Sequence, residues 1–70
     1  MTKVQKETLI GLLRTTVRET AWAVVKHRRE HGLITEGVSA SISAYDSACA
    51  ALRYVDLDGE NFILSTYRVR

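Results

Sequence analysis

The chain has 70 residues, a net charge of +2 with histidine neutral, a single cysteine and no proline. A length of this order makes one small domain, below the size at which a single core holds itself together comfortably without disulfides, metal or a partner subunit. Lone Cys49 excludes an internal disulfide and reads as a small buried apolar residue in a reducing, cytoplasmic compartment, while the longest unbroken apolar stretch, residues 21–25, fits neither a signal peptide nor a membrane span.

The first element is a helix over about 3–31. Thr2 and Gln5 have the T-x-x-Q spacing of a capping box, which satisfies backbone donors that the first turn leaves free. Ile10, Leu13, Val17, Thr20, Val24, His27 and His31 then recur at spacings of three and four, widened by Leu9, Leu12, Ala21 and Ala23. This stripe is broader than one antiparallel neighbour covers, so Ile10, Leu13, Val17 and Val24 are expected at a homodimer interface as well as against a second helix. Lys26, His27, Arg28 and Arg29 complement the negative end of the helix dipole, and Gly32 can turn left-handed to end it. Such a helix is about 43 Å long, whereas a compact globule of this length is just under ~30 Å across. It must overhang, pair, or kink, with Gly11 the candidate for a kink.

After a loop over 33–37, Val38, Ile42, Tyr45, Cys49 and Leu52 repeat at four, three, four, three. This predicts a second helix over about 38–54, its start lying between Glu36 and Ser43 because serine is a weak helix former and a good cap. The two helices form a hairpin. Beyond Leu52 the period changes: Asp58-Gly59 carries a hairpin-turn signal, and Ile63, Ser65, Tyr67 and Val69 alternate with Leu64, Thr66 and Arg68. A short C-terminal β-hairpin or strand over about 60–69 is therefore expected. The fold class is mainly α, as one domain over 1–70 and as a homodimer.

Charge is unevenly placed. Residues 3–31 carry seven Lys or Arg against three Glu, whereas residues 32–67 carry Arg53 alone against five acids. Such segregation suits pairing between subunits or with separate partners, and on its own it also describes ordinary solvated faces.

Few residues point to chemistry. His27, Glu30 and His31 match the string H-x-x-E-H, which puts both imidazoles on one helix face, but no acidic third ligand sits on a nearby predicted helix. The commoner fate of such histidines is to close the end of an apolar seam or to sit at a subunit boundary, where their protonation would make assembly pH-sensitive. Ser39, Ser41, Ser43 and Ser47 lie in no nucleophile-elbow string, and the four glycines are too scattered to cradle a phosphate. The expectation is no enzyme, no metal and no cofactor.

Trp22 is more informative. It falls on the side of the helix opposite Leu9, Leu13 and Val24, with Arg18 and Lys26 one turn away on either side and Arg29 two turns on. Either the Arg18 and Lys26 stems cover the ring, or the second helix or the hairpin packs on that side too, or Arg18, Trp22, Lys26 and Arg29 form a partner-binding patch, since Trp and Arg dominate interface energetics. Tyr45, Tyr54 and Tyr67 are further candidate anchors, with Tyr45 placed in the core by its heptad position.

Two functions follow from this layout. The favoured one is a homodimeric protein-binding module without membrane contact that docks on a macromolecule and modulates it. The alternative is a nucleic-acid-binding regulator, either through the basic end of the first helix or as a winged helix with residues 43–55 as recognition helix and the C-terminal hairpin as wing. That recognition helix would present Asp46 and a single Arg53, with Asp58 and Glu60 at the wing tip, which phosphates would repel. In size and build the chain resembles the small accessory proteins with which phages antagonise host factors, including transcription regulators and defence complexes. That resemblance rests on build alone and implies an inhibitor.

Overall fold

The computed structural model describes residues 1–32 and 36–66, and for His31, Glu36 and Gly37 the backbone alone. Three helices follow one another: α1 (Lys3–His31), α2 (Glu36–Val55) and α3 (Gly59–Ser65). The chain is mainly helical, with the long N-terminal helix and second helix paired as expected.

The capping box forms as its spacing predicts. Gln5 N–H donates to Thr2 Oγ1 at 3.1 Å, and Thr2 N–H donates to Gln5 Oε1 at 2.9 Å. At the other end Gly32 takes φ 86°, a conformation that L side chains rarely adopt, and its N–H donates to Arg28 O. Between the caps α1 runs unbroken through Gly11. The molecule is 43 Å along its longest axis, the full length of a straight helix of 29 residues, so of the three alternatives the kink at Gly11 is not the one taken. The overlong helix overhangs instead: residues 1–8 are all exposed.

Packing covers the centre of the apolar stripe within one chain, while Leu12 at its edge stays exposed. Val17 joins Ala48, Cys49, Leu52 and Ile63, with Ile10, Leu13, Tyr45 and Phe62 around them; Ala21 and Val24 form a second cluster against Ile42 and Tyr45. Val17 and Val24 have 0 % exposure, and Ile10 and Leu13 are half-buried against α2 and α3. These four residues, expected both against a second helix and at a homodimer interface, lie in or against the core of a single chain. The reason is that the stripe has two intrachain neighbours, α2 along most of its length and α3, which adds Ile63 to the first cluster.

The C-terminal β expectation is corrected. Residues 59–65 are helical, and no strand occurs among the described residues; Tyr67 to Arg70, the rest of that expected segment, lie outside them. Three interactions make the turn and start the helix. Asp56 Oδ1 accepts from Asp58 N–H at 3.0 Å, Gly59 N–H donates to Asp56 O, and Asn61 Nδ2 donates to Asp58 Oδ1 at 2.8 Å. Gly59 serves close approach rather than a hairpin turn. A methyl group there would lie 3.1 Å from Leu52 Cγ and 3.2 Å from Leu52 O. With the hairpin replaced by α3, the winged-helix reading loses its wing among the described residues.

A candidate protein-docking face on the first helix

Trp22 sits on the outer side of α1, 42 % exposed in spite of its size. Arg18, Lys26 and Arg29 are also exposed, and their spacings of four, four and seven from Trp22 set them on the same side of α1. Arg29 places its guanidinium carbon 5.8 Å from the ring centroid, within reach of a cation–π attraction that is modest at exposed sites. Cover is expected from the stems of Arg18 and Lys26; the structure instead sets the Arg29 guanidinium at the ring, and much of the indole still meets solvent. Arg18 has a second neighbourhood. With Phe62, Ser65 and Thr66 it lines an open cavity of about 430 Å³ between α1 and the end of α3. Thr66 and Ser65 spend their hydroxyls on the last carbonyls of α3, donating to Ile63 O and Phe62 O respectively.

The tyrosines divide by position. Tyr45 packs on both core clusters, and burial, followed by its hydrogen bond with Cys49, pushes its phenol up to about 12. Tyr54 is 90 % exposed on the outer side of α2. Burial also pushes the Cys49 thiol up, so it stays protonated at neutral pH and unreactive.

Contacts between the elements add to this geometry without a local sequence signal. Arg14 grips Asp56 Oδ2 through Nε at 3.1 Å and Nη2 at 2.6 Å, while its guanidinium carbon lies 5.1 Å from the Phe62 ring centroid. This clamp ties α1 to the α2–α3 turn. The partners are 42 residues apart, and no local pattern announces such a pair. His27 Nδ1 meets Ser41 Oγ at 3.1 Å across α1 and α2. A hydroxyl can donate to an unprotonated Nδ1 or accept from a protonated one, so the contact is available to both forms of the ring. Among the described residues, no group of three His, Cys, Asp or Glu comes together as a metal ion would need, and the His31 side chain of the H-x-x-E-H string lies outside them. Among the same residues no helix is long and apolar enough to cross a membrane.

No protein-family model matches the chain, and neither does any curated protein or solved structure.

Proposed function

We propose that this chain is a non-enzymatic, cytoplasmic, homodimeric docking module that grips another protein through Trp22, Arg18, Lys26 and Arg29 and so inhibits it. The observation that carries this reading is Trp22: a large aromatic ring left 42 % exposed amid basic side chains, in a helix whose other face already has its core. An indole with a guanidinium beside it suits a partner surface that is apolar at its centre and acidic at its rim. The class of partner fitting a phage-like accessory protein is a host transcription regulator or defence complex.

The test is capture of the partner from native host lysate by the wild-type chain and by Trp22→Ala. Because the ring lies outside both core clusters, the variant should keep its helicity and melting temperature while losing capture. Unchanged capture would remove the proposal. Nucleic-acid binding through Lys26, Arg28 and Arg29 is the alternative, and it would show as binding to duplex DNA that weakens steeply with salt.

A further inference from the structure

The homodimer of the preceding proposal needs a surface, since Val17 and Val24 are spent within the chain. We propose that the second copy docks on the outer side of α2, antiparallel, about a two-fold axis between Ser47 and Ala50. Ser43, Ser47, Ala50 and Tyr54 recur at four, three and four on the side of α2 away from Cys49 and Leu52, and all four are exposed. Small side chains there would let two backbones approach closely, but alone they name no occupant.

Charge names it. Asp46 and Arg53 are both exposed, seven residues apart, and flank that row on the same side. In an antiparallel pair of helices, the register that sets Ser47 against Ala50 of the second copy also sets Asp46 against Arg53 of the second copy, and Arg53 against Asp46. The same register places the Tyr54 ring, 90 % exposed in one chain, over Ser43 of the other. A helix that complements its own copy twice is what a two-fold interface requires. Arg53 already donates through Nε to Glu60 Oε2 on α3, which uses one of its five N–H donors and restrains the side chain.

Light scattering on the full chain over a concentration series tests this. The wild type should reach twice the 7.9 kDa chain mass. Ser47→Arg should be monomeric with unchanged helicity, and Trp22→Ala should stay dimeric. Asp46→Arg should weaken the dimer at least about tenfold by setting like charges together, and Asp46→Arg combined with Arg53→Asp should recover it. The double variant keeps the argument testable if Ser47→Arg disturbs the fold. A wild type that is monomeric throughout, a dimer indifferent to Ser47→Arg, or a double variant that fails to recover would each overturn the proposal. Docking through Trp22 is read by capture, so it stands or falls separately.

Discussion

Asp56 shows how much one side chain can organise here. One of its oxygens takes both bonds from Arg14, and the other takes Asp58 N–H, so a single carboxylate joins α1 to the turn that launches α3. The Arg14 hydrogen bond, then that of Asp58, holds its carboxyl below its ordinary value of 3.8. A carboxylate with a depressed folded-state pKa stabilises the fold above its unfolded value, and that contribution is lost as pH falls through the folded one. Thermal melts from pH 6 downward should therefore show stability falling in acid, starting near the ordinary value and continuing below it. Asp56→Asn should flatten that acid limb while lowering stability at neutral pH. Gly59 carries a different lesson at the same scale. Next to Asp58 it reads from the sequence as a hairpin turn, but its lack of a side chain serves contact with Leu52. The signal that identifies α3 was present: Gly59, Phe62 and Ile63 are spaced as one face of a helix, and Ile63 is buried while Leu64 is exposed. It was outweighed by the β-branched and aromatic residues that follow, because a helix of seven residues is too short to establish its period.

Among the elements, α1 was the most legible. Its capping box, its length and its terminal glycine all follow from local chemistry that the sequence states directly. What periodicity cannot state is which neighbour covers a stripe, and that is why Ile10, Leu13, Val17 and Val24 read as a subunit interface. Gly11 was legible as a weak point but not as a tolerated one. An added methyl group there would meet nothing within 4 Å, and its φ is not positive. Gly11→Ala should accordingly stabilise the chain by about 0.5–1 kcal/mol, through loss of unfolded-state freedom and better helix propensity. Urea titration followed by helical circular dichroism checks this, and a destabilised variant would mean that Gly11 faces a neighbour. The Trp22 face was legible because an aromatic residue out of phase with its own helix is visible in any sequence.

Taken whole, the molecule measures 43 × 19 × 14 Å. Its smallest dimension is little more than one helix with its side chains, so the core is a single row of contacts between α1 and α2, closed at one end by α3. This explains why both proposed interfaces are faces of helices and not clefts. It also bears on how the fold comes apart. From chain mass, folding hides only about 55 % of the surface the unfolded chain would expose, less than the ~60 % of a compact domain this small. Sensitivity to denaturant scales with the area exposed on unfolding, so the unfolding slope in urea belongs at the low end for small proteins, about 1 kcal/mol/M. A thin core thus gives a broad transition, and because a partner that covers a face adds area to be exposed, association of either kind would sharpen it.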